Sequence, residues 1–315
     1  MRRSEAVRGL ALSSLAAALP RRASAQSAPE KIRVAGAQTE DMTNIYYAIK
    51  NGMFRRAGLD VELVNVRSGP VATAAVVAGT YEMAKGNLLA VFSAHLRGVP
   101  IVVVAPENLY SARYPLSLLQ IAADSPYKTG ADLNGKTGGV PGLNGITTLS
   151  MCAWVDKHGG DWRSLKFVEI PNSVSEAALV QHRVDVVEMQ SPQLDASLAA
   201  GTTKTLGDGL GSIGPNYMYV GYIARNDWAA QHAEAVRTFN RVLAQATTYV
   251  NAHFAETAPL VAELTKIEIA NTKDMHRSLN ATKLDPKLVQ PFLDAAVKYE
   301  HIPRAFPARD ILWTG

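Results

Sequence analysis

The side chains that could do chemistry gather in short polar turns that follow apolar runs. These turns are Gln38-Thr39-Glu40-Asp41, Ser68-Gly69-Pro70, Gly86-Asn87, Asn144-Gly145-Ile146-Thr147, Asn172-Ser173 and Gln190-Ser191. Several of them open helices, and the free N–H groups of a helix start, reinforced by its dipole, favour an anionic group. Thr39, Ser68, Asn144 and Thr147 would add neutral donors, while Gly69 and Gly145 would let a ligand approach the backbone. Each of these residues taken singly serves equally well as a helix cap. As a group at strand ends they are expected to touch a ligand, and the expected set is Gln38, Thr39, Ser68, Gly69, Asn87, Asn144, Gly145, Thr147 and Gln190, with Arg113 and Tyr217. Arg113 could pair with a carboxylate or sulfonate, or form a salt bridge at a hinge. Tyr217 and Tyr219 could present an aromatic wall, or could simply be strand residues. Glu40, Asp41 and Glu188 stand against an anionic ligand, because carboxylates in the same turns would suit an amine.

Catalysis finds little support. The single cysteine, Cys152, lies mid-helix in Leu149-Ser150-Met151-Cys152-Ala153-Trp154, the setting of a buried, inert thiol. The seven histidines are scattered, with no pair at i, i+4 spacing and no Cys–His cluster. No phosphate loop and no nucleophile elbow occurs. The expectation is a protein without catalytic residues, metal ligands or cofactors.

The elements that must position the turns alternate between strand and helix. Residues 66–106 read as turn, helix, buried strand, helix and buried strand, with Val99 to Ala105 a β-branched run suited to a covered parallel strand. Before it, residues 30–37 and 59–66 read as strands flanking a helix that ends at Gly58. An open α/β sheet of this kind binds ligands outside the carboxyl ends of its strands. The pattern then recurs. Strand 137–141, turn 142–145, helix 147–158 and strand 165–170 parallel the first unit. Ala74-Ala75-Val76-Val77 and Tyr81-Glu82-Met83 match Ala177-Ala178-Leu179-Val180 and Val184-Asp185-Val186 at an offset of 103. Residues 207–215 read as a Gly-rich loop, residues 217–224 as a return strand, and helices follow near 257–264, 271–280 and 286–298. The fold class expected is α/β, with two similar lobes joined by two crossing segments and a ligand cleft between them. Lobe 1 would be discontinuous, residues 31–112 plus 222–315, and lobe 2 would span 113–221.

The chain has 315 residues, 47% of them apolar, and a net charge of +4. That charge is confined to residues 1–25, which hold five arginines and Glu5. Without them the 32 basic and 28 acidic side chains become 27 and 27, so a nucleic-acid partner is excluded. Arg2-Arg3, the apolar run 9–19 and Ala23-Ser24-Ala25 read as a signal peptide with cleavage expected after Ala25, the alternative being a disordered basic tail. The apolar run is too short to span a bilayer.

Residues 48–61, Ala-Ile-Lys-Asn-Gly-Met-Phe-Arg-Arg-Ala-Gly-Leu-Asp-Val, resemble the signature of periplasmic binding proteins for nitrate, sulfonate, taurine and thiamine-pyrimidine precursors. Ser68-Gly69-Pro70, Ala78-Gly79-Thr80-Tyr81-Glu82, Leu133-Asn134-Gly135-Lys136 and Arg183-Val184-Asp185 fall where that family has recurring motifs. The resemblance runs from about residue 31 to about 255. It implies a type 2 periplasmic-binding-protein fold and a monomeric, periplasmic receptor that closes on a small-molecule solute and delivers it to the permease of an ABC transporter. Departures concern the ligand: Glu188-Met189-Gln190-Ser191-Pro192 replaces an aromatic or Asp-Pro pair, and Glu82 replaces an aspartate. The solute expected is a small organic anion, a sulfonate or carboxylate. The alternative is an enzyme on the same scaffold, such as a pyrimidine-precursor synthase of thiamine biosynthesis, though one cysteine and an export signal argue against it. Protein from the exported fraction should begin at Gln26 when its mass is measured; an intact 1–25 segment there would sink the export assignment.

Overall fold

The computed structural model describes residues 28–66, 69–191, 193–272, 275 and 277–315. The expected signal segment lies outside them. The first unit comprises β1 (Glu30–Gly36), α1 (Thr43–Lys50), α2 (Met53–Arg56), β2 (Leu59–Asn65), α3 (Gly69–Val77), β3 (Met83–Asn87), α4 (Leu88–Leu96) and β4 (Ile101–Pro106). After β5 (Asn108–Ser111) come β6 (Ser117–Ala122), β7 (Thr137–Val140), α5 (Ile146–Lys157) and β8 (Lys166–Glu169). Then follow α6 (Ser175–Val180), β9 (Val186–Gln190), α7 (Gln193–Ala199), β10 (Thr203–Gly207) and α8 (Gly209–Ile213). The chain returns through β11 (Asn216–Met218) and β12 (Val220–Arg225) to α9 (Asn226–Gln231), α10 (Ala233–Ala252) and α11 (Phe254–Thr265). It ends with β13 (Leu279–Asn280) and α12 (Pro286–Lys298).

Two five-stranded sheets share one plan. Their orders are β2-β1-β3-β12-β4 and β8-β7-β9-β6-β10. In each, three strands are parallel, and the fourth, β12 or β6, runs antiparallel to both its neighbours. The repeat expected from the offset of 103 is therefore a repeat of topology. It extends to backbone detail. Gly79 ends α3 in the left-handed region at φ 75°, and His182, 103 residues on, ends α6 at φ 52°. The second position tolerates a side chain at a cost of about 1 kcal/mol.

The chain crosses between the sheets twice, and the crossings pair with each other. β5 is antiparallel to β11, and β13 joins the far side of β5 to complete a three-stranded ribbon. One apolar cluster joins Leu88, Phe92 and Val103 of the first unit to Leu149, Cys152 and Leu210 of the second. Phe292 of α12 sits fully buried within it, 5.7 Å from Phe92 and 5.8 Å from Tyr217 between ring centres. Among the described residues no helix is long and apolar enough to cross a membrane.

Four local expectations are corrected. The helix expected to run to Gly58 breaks into α1 and α2 because Gly52 takes φ 63°. Residues 207–215 are not a loop throughout: Asp208 caps α8 by accepting the Gly211 N–H at 2.8 Å. The return strand is two strands, interrupted at Tyr219. The helix expected near 271–280 falls partly outside the described residues, and its end, Leu279–Asn280, is strand β13.

Candidate functional site

A cleft opens between the two sheets. On the first side it is lined by Thr39, Glu40, Asp41, Gly69, Lys85 and Asn87 with Asn108, Met275 and Ser278, around a cavity of about 340 Å³. On the second side Ser117, Ile146, Thr147, Asn172, Glu188 and Gln193 surround about 240 Å³. Leu116, Gln190, Ser191 and Tyr219 line both cavities and make them one space. The lining comes from the ends of β1, β3 and β9, where an α/β sheet is expected to bind.

The first wall is an ionic network. Lys85, at the centre of strand β3, is packed so that its ammonium meets the Asp41 carboxylate, donates to Thr39 Oγ1 at 2.8 Å and lies 3.8 Å from Glu107 Oε1. Asp41 also accepts from Thr39 Oγ1 at 2.6 Å and from Asn108 Nδ2 at 3.3 Å. Burial is the largest single influence on Asp41 and would raise it. Lys85, Thr39 and Asn108 together nonetheless hold it below the usual carboxylate range. Burial likewise opposes the Lys85 charge, but Asp41 and Glu107 raise the ammonium above its ordinary value. Glu107 is fully buried, and burial pushes its carboxyl up to about 8, so it carries a proton at neutral pH. Next to this group Glu40 accepts from Arg277 Nε at 2.5 Å and from the Ser278 N–H at 3.0 Å. Burial pushes the Glu40 carboxyl up, against the Arg277 charge and the Ser278 N–H, and the wall pairs Lys85 with Asp41 and Arg277 with Glu40.

The second wall is different. Glu188 lies deep in the cleft, held by the Ser117 and Ser150 hydroxyls. Among the described residues it has no ion-pair partner. Burial raises its carboxyl to about 7, with the Asp208 charge adding to the rise and the two serines opposing it. Ser150 Oγ also lies 2.8 Å from the Thr147 carbonyl, and a hydroxyl has one proton to give. When that proton goes to Glu188 instead, a protonated Glu188 keeps its own proton for the cleft. Glu188 can therefore present either an acceptor or a donor to the cleft near neutral pH.

The expected ligand set divides. Thr39, Gly69, Asn87, Thr147 and Gln190 line the cleft. Asn87 also caps α4, accepting the Leu89 N–H at 2.8 Å, so both readings of it hold. Thr39 caps nothing through its side chain and instead joins the Lys85 network. Gly145 starts α5, with its N–H on the Gly142 carbonyl at 3.2 Å, and Gln38 binds the Asn65 side chain through its own N–H. Neither lines the cleft. Asn144 faces a separate rear cavity with Cys152 and Trp162. Arg113 lines a neighbouring cavity beside Tyr114 and Phe254. Tyr217 is fully buried, its hydroxyl on the Leu210 carbonyl at 3.0 Å and its ring stacked on Tyr110, so the aromatic at the cleft is Tyr219. Ser68 lies outside the described residues. Lys85, Asn108, Ser117 and Ser278 lie outside the expected ligand set, although Lys85 and Asn108 fall at strand ends where a ligand is expected. A lysine inside the apolar strand Met83-Ala84-Lys85 was the one sign that could have marked the network.

Residues 39–257 match the family model described as NMT1/THI5 like. The chain belongs to that family. A formylaminopyrimidine-binding protein of Halalkalibacterium halodurans is 28% identical over 145 residues, 46% of this chain and 42% of that protein, so the chain spans less than half of this relative. A Brucella abortus protein named only as a binding protein is 25% identical over 235 residues, 71% of this chain and 68% of that protein. The periplasmic aliphatic sulphonate-binding protein of Escherichia coli superposes with a TM-score of 0.73 at 18% identity, covering 91% of this chain and 92% of that one. The periplasmic nitrate-binding protein of Synechocystis PCC 6803 gives 0.70 at 14% identity, covering 90% and 85%. These likenesses establish the two-lobed periplasmic-binding-protein fold.

The raised Glu188 carboxyl has a signed consequence for stability. Between about pH 4.5 and 7 the native state keeps a proton that the unfolded chain has lost. This group's contribution is complete below about pH 4.5 and disappears as pH rises to about 7, a change of about 3 kcal/mol. Glu107 acts in the same direction, so Glu188→Gln isolates the share of Glu188. In urea unfolding, the variant should lose less stability than the parent between about pH 5 and about pH 7.5; equal losses would contradict the assignment.

Proposed function

We propose that this chain is an exported solute receptor. It captures a small molecule between its two sheets, closes on it by bending at the paired crossings, and presents it, as a monomer in the periplasm, to the permease of an ABC importer. Family membership and the fold support the receptor role. The cleft lacks an activated nucleophile among its described residues: Cys152 lines the rear cavity, and burial pushes its thiol up to about 12. We therefore assign capture without chemical conversion, in preference to a synthase on this scaffold.

The observation that carries the solute class is Glu188. Its carboxyl faces the cleft without a cation, while Lys85 on the opposite wall is already matched by the Asp41 carboxylate. An incoming sulfonate or carboxylate would have to displace Asp41 from Lys85, and would meet Glu188 across the cleft. A heteroaromatic amine suits the walls better. Its exocyclic N–H donates to one Glu188 oxygen, and its ring nitrogen accepts from the protonated form of the other, a paired contact of matched acidity. Tyr219 supplies an aromatic surface at the same place. The name of the Halalkalibacterium halodurans relative supports this class. The geometry thus favours an N–H-bearing solute over the anion expected from helix starts.

Calorimetric titration with 4-aminopyrimidine, ethanesulfonate and benzoate tests the assignment. The amine should bind, and Glu188→Gln should weaken it at least tenfold, about 1.4 kcal/mol. Binding of the anions alone would overturn the N–H assignment and leave the receptor role standing. Mass spectrometry of the recovered solute should show it unchanged, and a new product mass would overturn the assignment of capture without conversion.

A further inference from the structure

Beside the cleft lies a cavity of about 770 Å³, larger than either cavity of the cleft itself. Its walls are Tyr114, Pro115, Phe254, Ala258, Ile269 and Met275, an apolar set broken by Arg113 on the rim and by Arg277. The Arg277 charge is turned away from the space, because its guanidinium is committed to Glu40, to the Phe254 carbonyl at 3.0 Å and to Thr257. Tyr114 and Ile269 remain 53% and 60% exposed around it, an apolar surface left to water.

Both walls of this annex run directly into the cleft. On one side Tyr114 and Pro115 line the annex, and the next residue, Leu116, lines both cavities of the cleft. On the other, Met275 lines annex and cleft together, and Ser278 continues the strip into the cleft. Glu40 on the cleft side pairs with Arg277 on the annex side, and the flexible Met275 thioether lines both spaces. A polar head in the cleft therefore has an apolar room at its side, reached over Met275.

We propose that the annex receives an apolar substituent of the captured solute, so that the substrate class is an amphipathic heteroaromatic amine with a hydrophobic arm. This inference rests on the assignment of the amine head to Glu188. The occupant is the arm of the same molecule: apart from Arg113 on the rim the lining is apolar or already committed, and Met275 and the run from Tyr114 to Leu116 carry that lining into the cleft.

The test compares 4-aminopyrimidine with 4-amino-5-(2-phenylethyl)pyrimidine by calorimetry. The compound with the arm should bind at least tenfold more tightly to the parent protein. Ala258→Trp, which fills the annex from the half-buried face of α11, should abolish that advantage while leaving 4-aminopyrimidine binding unchanged. Ile269→Asp, at an exposed position that folding does not depend on, should reduce the advantage in the same way and decides the matter if Ala258→Trp fails to fold. Equal affinities for the two compounds, or an advantage that survives both substitutions, would overturn the annex and leave the amine head in place. Failure of both compounds to bind would overturn the amine assignment and the annex with it.

Discussion

The ammonium of Lys85, set between Asp41 and Glu107 where water has little access, is the constraint on which the rest of the cleft depends. It ties three segments together: the turn after β1, the end of β3, and the start of the first crossing. Desolvating such charges costs several kcal/mol, and the loss is offset only when every partner stays in place. Here Thr39, Asn108 and Asn280 close the remaining positions, the last donating to the Asp41 carbonyl at 2.8 Å. Glu107 escapes a second buried negative charge by keeping its proton. The outcome is a rigid, neutral first wall. Discrimination between solutes then falls to the second wall, where Glu188 has only hydroxyl partners.

The same segments set how the two sheets can move. β5 and β11 pair side by side, so both crossings bend as one ribbon rather than as two independent strings. Behind them α12 packs against both units through the cluster around Phe292. Near its end, Lys298 and the Tyr299 hydroxyl reach Asp156 on α5 at 2.6 and 2.9 Å. Exposed ion pairs of this kind contribute little, so the apolar contact holds the helix, and the charges set its orientation. Any change in the angle between the sheets must slide α12 over one of them.

Much of this was legible in the residues. Periodicity and turn chemistry placed β1, β2, α3, β4, α5 and α12 close to their observed ends, and the offset of 103 located the repeat. What escaped depended on contacts far apart in sequence. Tyr217 and Tyr219 are two residues apart and would share a face in a continuous strand. The chain changes sheets between them, which sends one ring into the core and the other to the cleft. Asn144 sits beside Gly145 in the expected turn, yet the entry angle of α5 turns it to the rear. Arg277 and Asn280 come from a segment with no strong pattern, and their partners Glu40 and Asp41 lie more than two hundred residues earlier. Local spacing carries no record of such pairs.

The central claim is that the solute is held between the two sheets, which draw together around it. Val71, two residues after Gly69 on the first wall, and Val174, two residues after Asn172 on the second, are exposed, and the native Cys152 is buried. Spin labels on Val71→Cys and Val174→Cys allow the separation of the two walls to be measured by pulsed electron resonance, first without ligand and then with 4-aminopyrimidine at a concentration that calorimetry shows to saturate the protein. The account predicts a shorter and narrower distance distribution in the saturated sample. An unchanged distribution at full occupancy would contradict it, because the bound molecule would then lie outside the space between the sheets.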